Sequence, residues 1–297
     1  MPAKPPTLGE WLQRAEKSYA RHKVALGQVA TTAHDEALYL LLRTLGLPLD
    51  SKPAVLRRKL TAAEQTRLKG IFRRRLEEHV PAAYLTREAF LGEHRFYVDE
   101  RVIIPRSYFV ELLPEQIPQW LPANQPVKRA VDVCTGSGCL AVLLAHQFPV
   151  ARVDAIELSP DALAVARFNV AAHGLTKRVK LFHSDVFDAV PRARYDLIVS
   201  NPPYVPTREL HGLPAEFKQE PSMALDGGRD GLDVIRKLLR QARDRLQRHG
   251  IVVLEVGGLR PAMDRAFREL EPHWLHTEDG EDCVCVVQAA RLMKWRG

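Results

Sequence analysis

The feature that most constrains the fold is the placement of polar or glycine-rich residues at the ends of four successive predicted strands. Short apolar segments alternate with helix-like segments in this part of the chain, which predicts an α/β fold built on one mainly parallel sheet. The four strand ends carry Gly136 with Gly138, Glu157, Asp185 and Asn201. Because carboxyl ends of parallel strands meet at one edge, where such folds bind ligands, we expect a site there.

The tetrapeptide Asn201-Pro202-Pro203-Tyr204 ends the predicted strand 195–200, because proline cannot continue a ladder of backbone hydrogen bonds. The prolines also restrict the backbone, so that the Asn201 amide and the Pro202 carbonyl are held as fixed acceptors. Such acceptors could bind both N–H groups of an amide or amino group and direct its lone pair toward an electrophile, with Tyr204 stacked on its plane. The alternative is a Pro-Pro loop that only terminates a strand.

The segment 134–138, Cys-Thr-Gly-Ser-Gly, joins a predicted strand to a predicted helix over 139–147. Its glycines allow a tight turn and a close approach of backbone to ligand, and the helix start offers N–H groups to a polar ligand. The pattern lacks the third glycine of the dinucleotide fingerprint and has Ala141 there, so by itself it is a weak signal. Glu157, at the tip of the next strand, could accept both hydroxyls of a ribose.

Residues 1–90 carry the whole net charge of +7, since they contain 16 Lys+Arg and 9 Asp+Glu, whereas residues 91–297 contain 27 of each. Three helices are predicted in this third, the last of them opened by a capping box at 61–64. The charge suggests an acidic partner such as RNA, although solvated basic helix faces could also produce it. The arginines at 73–75 cannot share one helix face, which favours solvated side chains over a phosphate clamp.

The composition excludes several other classes of protein. The first residues form no apolar signal segment and no apolar run is long enough to span a membrane, so a cytosolic (cytoplasmic) protein is expected. The four cysteines form no C-x-x-C pair, and the 11 histidines show no ligand spacing with them. We therefore expect reduced thiols and no structural metal.

The remaining segments complete the predicted organisation. A hairpin is predicted over 89–98, and Arg106 follows it in a position from which it could bind a carboxylate. Residues 205–231 form a long polar insertion, a length typical of functional lids or of disorder. A helix over 232–248 precedes the strand 251–256, and two final strands predict an antiparallel hairpin at one edge of the sheet.

Together these motifs resemble the class I S-adenosylmethionine-dependent methyltransferases, and within them the family that methylates N5 of protein glutamines. The resemblance is carried by 104–106, 132–139, 157–161, 184–187 and 201–204. It implies a Rossmann-like fold with a mainly parallel seven-stranded sheet and a C-terminal antiparallel hairpin. The implied segments are a helical substrate-recognition domain 1–85, a β-hairpin linker 86–108 and an S-adenosylmethionine-dependent methyltransferase domain 109–297.

The resemblance also implies the roles of individual residues. S-adenosylmethionine is the implied cofactor, with no metal. Segment 134–138 would approach its methionine part, Glu157 its ribose, and Asp185 with the Val186 backbone its adenine. The full implied cofactor set is Asp132, Cys134, Thr135, Gly136, Ser137, Gly138, Glu157, Asp185, Val186 and Asn201.

The implied substrate residues are Asn201, Pro202, Pro203, Tyr204 and Arg106, of which Asn201, Pro202 and Tyr204 are the catalytic ones. No general base is needed before transfer, because a sulfonium is already a good electrophile and deprotonation can follow. Catalysis would then be mainly orientation and desolvation.

The family has two bacterial branches, one acting on the G-G-Q glutamine of peptide chain release factors and one on the third protein of the large ribosomal subunit, L-three. Ile104-Pro105-Arg106-Ser107, Cys134 and the stretch 213–221 resemble the second branch. The implied partner is therefore L-three, alone or within an assembling ribosomal particle whose RNA residues 1–85 could contact. Tyr108-Phe109 departs from the branch and bears on substrate fit, whereas Glu157 replaces the usual aspartate and preserves the carboxylate.

Three alternatives stay open at this point. They are a release factor as substrate, an amino group of an RNA or DNA base, and a ribosome-assembly binder whose catalysis is dispensable. Base methyltransferases use a similar N-P-P-Y loop and would suit a basic first third, but they need a pocket for a flipped base. The hairpin and the I-P-R-S segment resemble the enzymes that act on protein glutamine and favour that reading.

Overall fold

The first third of the chain is helical. In the computed structural model, which describes residues 4–278, 280 and 282–296, its helices are α1 (Leu8–His22), α2 (Ala33–Thr44), α3 (Ala62–Leu76) and α4 (Ala82–Thr86). Thr7 and Thr61 each form a capping box, and the box at Thr61 confirms the predicted start of α3. The apolar faces pack into a core of their own, which includes Leu8, Leu12, Leu40, Leu41 and Leu68.

The prediction that the arginine triplet is solvated is wrong for Arg75. Arg73 and Arg74 are exposed to solvent, but Arg75 is fully buried. Its guanidinium binds Glu36 of α2 at 2.6 Å and Glu216 of the insertion at 3.2 Å. A buried charge needs such partners, and a sequence pattern along one helix does not reveal them.

The predicted hairpin follows, with β1 (Ala89–Leu91) antiparallel to β2 (His94–Phe96). The main sheet contains seven strands: β3 (Arg129–Val133), β4 (Arg152–Glu157), β5 (Val179–His183), β6 (Tyr195–Ser200), β7 (Leu246–Glu255), β8 (His273–Trp274) and β9 (Val284–Gln288). Their spatial order is β5-β4-β3-β6-β7-β9-β8. Strands β3 to β7 are parallel, and β9 is antiparallel to both of its neighbours. The Rossmann-like fold and its closing antiparallel pair are thus confirmed.

Helices cover both faces of this sheet. They are α5 (Phe109–Leu112), α6 (Cys139–Gln147), α7 (Pro160–Ala172), α8 (Asp233–Ala242), α9 (Arg260–Ala266) and α10 (Ala289–Leu292). Alternate residues of β6 serve the two faces, since Leu197 and Val199 belong to the core that contains α6, and Ile198 to the core that contains α8. In the described part of the chain, no helix has the length and apolar composition needed to cross a bilayer.

The predicted helix over 232–248 is too long. Helix α8 ends at Ala242, and β7 already begins at Leu246. Leu246 continues the helical spacing of Ile235, Leu239 and Ala242, so the sequence period carries on across the boundary. In the structure Leu246 instead pairs with Tyr195, beside an irregularity in the register of β6 and β7.

The insertion 205–231 is folded against the rest of the molecule. It contains three short 3-10 turns, and its two ends pair where the Val205 N–H binds the Leu225 carbonyl at 2.8 Å. Two of its carboxylates, Glu216 and Glu220, are almost fully buried at the boundary with the helical third. The alternative of a disordered segment is therefore wrong.

Candidate active site

Five neighbouring strands end at one edge of the sheet. In spatial order these ends carry Asp185 after β5, Glu157 at the end of β4, the loop 134–138 after β3, Asn201 after β6 and Glu255 at the end of β7. The four positions predicted for this edge therefore lie on it. Glu255 is not among the predicted residues, although it ends an apolar strand in the same way as Glu157, and that signal could have identified it.

The loop 134–138 turns sharply between β3 and α6. Cys134, Gly136 and Gly138 have φ values of 64°, 55° and 82°, which only glycine adopts without strain. A Cβ on Gly138 would lie 3.2 Å from Ala166 of α7, so glycine lets the loop approach that helix. A Cβ on Gly136 would make only an ordinary contact, with Ile103 at 3.8 Å, so no atom of the chain packs tightly there.

Asp132 supports this loop from below. It is fully buried, and one carboxylate oxygen accepts hydrogen bonds from the Thr135 hydroxyl and from the Ala141 N–H at 3.0 Å. Burial raises the pKa of Asp132 to about 7. The side chains of Thr135 and Ser137 are buried as well. The Asp132 carboxylate therefore holds the loop in place, and its role in cofactor binding stays a prediction.

Glu157 lies beside the loop, with both carboxylate oxygens bound to backbone. Gly136 N–H donates to one oxygen at 2.8 Å and Ser159 N–H to the other at 2.9 Å. Burial raises the pKa of Glu157, and these hydrogen bonds oppose that shift. A carboxylate has about four acceptor positions, so two remain for hydroxyl donors of a ligand.

Asp185 occupies the outer end of the row and is half exposed. Lys237 of α8 binds it at 2.7 Å and also binds Asp188 at 2.6 Å. Lys237 is far along the chain, and no sequence signal connects it with this site. Val186 has a φ of 52°, a costly conformation for a β-branched residue and one that concentrates at ligand sites.

On the other side of the loop, Asn201 is fixed by Glu255. The Asn201 Nδ2 donates to one oxygen of Glu255 at 2.9 Å. The Ser107 hydroxyl at 2.5 Å and the Tyr108 N–H at 3.1 Å donate to the other oxygen. Because the amide nitrogen of Asn201 is engaged, its Oδ1 is the atom left to accept from a ligand. Burial raises the pKa of Glu255 to about 7, opposed by these three donors and by the charge of Arg106.

Arg106 binds a carboxylate of its own chain. Its guanidinium binds both oxygens of Glu220 at 2.8 Å and lies 5.1 Å from the centre of the Phe217 ring. Gln28 of the helical third donates to the same carboxylate. A bidentate pair of this kind is strong and directional. The assignment of Arg106 to the substrate site stays a prediction, and in this structure its guanidinium is paired within the chain.

Tyr204 is enclosed by glycines from two other segments. A Cβ on Gly257 would come within 2.6 Å of the Tyr204 ring, and one on Gly231 within 2.4 Å of the Tyr204 carbonyl oxygen. A Cβ on Gly227 would lie 2.7 Å from the Tyr204 Cα and 2.8 Å from the Pro203 carbonyl. The rigidity expected from the two prolines is thus reinforced by backbone packed against the loop.

Comparison with known proteins agrees with this geometry. A family described as "Methyltransferase small domain" matches residues 111–216. The ribosomal protein uL3 glutamine methyltransferase of Burkholderia pseudomallei (strain K96243) is 43% identical, over 96% of this chain and 95% of the relative. Its counterpart in Bordetella pertussis (strain Tohama I) is 44% identical, over 96% of each chain.

Solved structures give the same fold. The hMettl16 catalytic domain in complex with MAT2A 3'UTR hairpin 1 has a TM-score of 0.51 over 96% of this chain and 92% of that one, at 14% identity. That likeness extends to the fold alone. The two bacterial relatives are similar over nearly their whole length, and on that basis the chain belongs to the family of ribosomal protein uL3 glutamine methyltransferases.

Proposed function

We propose that this protein transfers a methyl group from S-adenosylmethionine to the side-chain amide nitrogen of a glutamine in ribosomal protein uL3, in the cytoplasm. The observation that carries the proposal is the fixed Asn201 amide, whose Oδ1 is left as an acceptor by the bond from Nδ2 to Glu255. Similarity to the two uL3 glutamine methyltransferases over nearly the whole chain supports the choice of substrate.

The residues of the cofactor half fit S-adenosylmethionine. The missing side chain of Gly136, where no atom of the chain packs tightly, would let a ligand approach the backbone, and the two free acceptor positions of Glu157 suit a ribose with two hydroxyls. Asp185 and the strained Val186 backbone would adjoin the adenine. When bound, the cofactor supplies an electrophilic methyl group on a sulfonium. Asp132 contributes indirectly, by holding Thr135 and the start of α6.

The residues of the substrate half would orient the glutamine. Asn201 Oδ1 and the Pro202 carbonyl would each accept one N–H of the planar amide, which directs the nitrogen lone pair, perpendicular to that plane, toward the methyl group. Tyr204, enclosed by Gly231 and Gly257, would pack on the amide plane. These groups orient the nitrogen and exclude water, and a proton leaves the nitrogen after transfer.

Glu255 is a positioning residue in this scheme. An asparagine amide can turn by half a rotation and exchange its oxygen and nitrogen. The bond to Glu255 selects the orientation that offers oxygen to the substrate. Ser107 and Tyr108 hold that carboxylate in turn. The I-P-R-S segment therefore acts on the reaction through Glu255 rather than by contact with substrate.

We further propose that the helical third guides the enzyme to a partly assembled ribosomal particle, because it carries the whole excess positive charge. Methyl transfer with free uL3 should then depend weakly on salt. Transfer with an RNA-containing particle should fall with salt, by roughly 0.7 to 0.9 in the slope of log K against log salt for each phosphate contacted.

The central experiment supplies labelled S-adenosylmethionine to the protein together with purified uL3, a peptide chain release factor or ribosomal RNA in separate reactions. Mass spectrometry of the labelled product then locates the added methyl group. We expect label on one glutamine of uL3, and labelling about a hundredfold slower or more with the Asn201→Ala variant. Label on the release factor or on a base, with none on uL3, would overturn the proposal in favour of that substrate.

A further inference from the structure

Three histidines from separate elements converge beneath the hairpin. His94 belongs to β2, His146 to the last turn of α6, and His173 follows the end of α7. One nitrogen from each ring lies within 4.8 Å of the other two. The rings of His94 and His146 are stacked, with 4.6 Å between their centres. Both helices start at the edge of the active site, so their far ends place this cluster near the opposite edge of the sheet.

The second nitrogen of one ring is already engaged. His173 Nε2 is 2.9 Å from the Arg95 carbonyl oxygen, a contact that requires Nε2 to carry the hydrogen. Nδ1 of His173 is then the nitrogen with a free lone pair. A hydrogen bond from one imidazole nitrogen to a backbone carbonyl, with the other nitrogen left as an acceptor, is typical of histidines that bind metals.

The three imidazoles also contact one another through their rings. Two edge-on ring contacts of His173, at 5.8 Å from His94 and 5.9 Å from His146, keep the three rings in one cluster.

We propose that His94, His146 and His173 form a binding site for one divalent transition-metal ion, of which Zn²⁺ is the most suitable. Three imidazoles with one position left for water is a common zinc environment. Zn–N bonds of about 2.1 Å place bound nitrogens about 3.4 Å apart in a tetrahedron, so the nitrogens would close by on the order of 1 Å. Because a metal lies in the plane of each imidazole that binds it, the exposed ring of His146 would also turn out of its stack on His94. The ligands come from three elements far apart in sequence, which is why no spacing pattern indicated a metal.

The ion would tie the hairpin to the two helices. Asn169 of α7 already fastens the chain just after β2, by accepting from the Tyr97 N–H at 2.8 Å and donating to the Tyr97 carbonyl at 3.0 Å. The metal would add a second attachment on the same side. After the hairpin the chain continues to Arg106 and Ser107. The metal would stabilise the hairpin without touching the reacting groups.

The test uses full-length protein with any purification tag removed, dialysed against a chelator and then titrated with Zn²⁺ in a calorimeter. We expect one ion per chain, and a higher melting temperature when Zn²⁺ is present. The variant His146→Ala should weaken binding at least tenfold and abolish the thermal shift. His146 is exposed, so this variant should fold. The control His211→Ala removes an exposed histidine of the insertion and should leave both measurements unchanged.

Substitution by Co²⁺ gives a second readout. A tetrahedral site with nitrogen ligands should produce visible absorption bands that disappear in His146→Ala and in His94→Gln. Absence of stoichiometric Zn²⁺ binding would overturn the proposal. So would Zn²⁺ affinity that is equal in the wild type, His146→Ala and His94→Gln, because the ion would then bind elsewhere.

Discussion

The two halves of the carboxyl edge are held together in different ways. In the half proposed for the cofactor, Glu157 is fixed by backbone N–H groups of Gly136 and Ser159, at most 21 residues away. In the half proposed for the substrate, Asn201 depends on Glu255, 54 residues away, and Glu255 is held by Ser107, 148 residues away. The contacts of Glu157 are local in sequence, whereas those of Asn201 form only when distant segments are in place.

This difference reaches into the helical third. Arg106 pairs with Glu220, and Glu220 also accepts from Gln28, which is 192 residues away. A backbone donor survives substitution of its own side chain, but a side-chain anchor can be removed by one mutation. We therefore expect substitutions far from the site to change methyl transfer more than cofactor binding. The predictions below test that expectation, from the largest effect to the smallest.

The largest effect is expected for Arg75→Leu. This change leaves Glu36 and Glu216 buried without their cation, and breaking a buried ion pair costs about 3–5 kcal/mol. Urea unfolding should report that loss in the free energy of unfolding. The matched control is Arg74→Ala, whose 48% exposed side chain lies 3.9 Å from Glu78, and which should change the free energy by less than about 0.5 kcal/mol.

Folded Arg75→Leu protein also allows kcat and cofactor affinity to be compared. Glu216 lies in the insertion that packs on the N-P-P-Y loop, so kcat should fall while the Kd of S-adenosylhomocysteine stays within about threefold of wild type, under about 1 kcal/mol. If cofactor affinity falls as much as kcat, the two halves are not independent.

The next effect is expected for Asn201→Ala. Loss of one of two groups that orient the substrate amide should lower kcat about a hundredfold or more, as for other positioned catalytic groups. Calorimetry should find S-adenosylhomocysteine affinity nearly unchanged. Asn124→Ala, at an exposed position, serves as the control. Near-normal turnover of Asn201→Ala would show that the N-P-P-Y loop only terminates the strand.

Glu157→Ala should show the opposite behaviour. Loss of a carboxylate that holds two ribose hydroxyls should weaken S-adenosylhomocysteine binding by about 2–3 kcal/mol, which is roughly 30- to 150-fold. At saturating S-adenosylmethionine, kcat should change much less. The exposed neighbour Asp161 supplies the control variant Asp161→Ala. Affinity within about threefold of wild type would remove Glu157 from the cofactor site.

The smallest effect is expected for Glu255→Gln. A glutamine must turn its amide nitrogen toward either Asn201 or the Tyr108 N–H, so one donor loses its acceptor. We expect kcat to fall about tenfold, the free-energy equivalent of one hydrogen bond. Glu209→Gln, at an exposed position of the insertion, should have no effect. Unchanged kcat in Glu255→Gln would show that the amide of Asn201 is oriented by other contacts.

Protonation of Glu255 should affect kcat and stability in opposite directions. Protonation of Glu255 introduces a donor among three donors, so wild-type kcat should fall as pH decreases through about 7. Its contribution to stability has the opposite sign. The folded pKa is above the ordinary value of 4.5, so that contribution is present at low pH and is lost as pH rises from about 4.5 to about 7. Both dependences should weaken in Glu255→Gln, and an unchanged kcat midpoint in that variant would contradict the assignment.

The cofactor half could be predicted from sequence because each of its residues comes directly at the end of a predicted strand. Glycines, a strand and a carboxylate at its tip were enough to place the loop 134–138 and Glu157 on one edge. Glu255 follows the same rule at the end of β7 and could have been found by applying it once more. The boundary between α8 and β7 could not be predicted, because Leu246 fits the helical period as well as the strand.

The substrate half could be predicted only in part. The N-P-P-Y loop was identified from its prolines, but its supports come from elsewhere in the chain. The partner of Arg106 and the burial of Arg75 depend on where the insertion folds back, and no local pattern encodes that position. Ion pairs between distant segments follow no periodic pattern, so the sequence contains both charged residues but does not show that they pair.

The bond between Arg75 and Glu216 also has a consequence for synthesis. The two residues are 141 positions apart, so at about 5–20 residues per second the carboxylate is made roughly 7 to 28 s after the arginine. The helices have a core of their own and can form in that interval, with Arg75 bound to Glu36 and to the Ala25 carbonyl. The nascent helical third can therefore fold before Glu216 is synthesised, and its second ion pair forms only when the insertion docks on it.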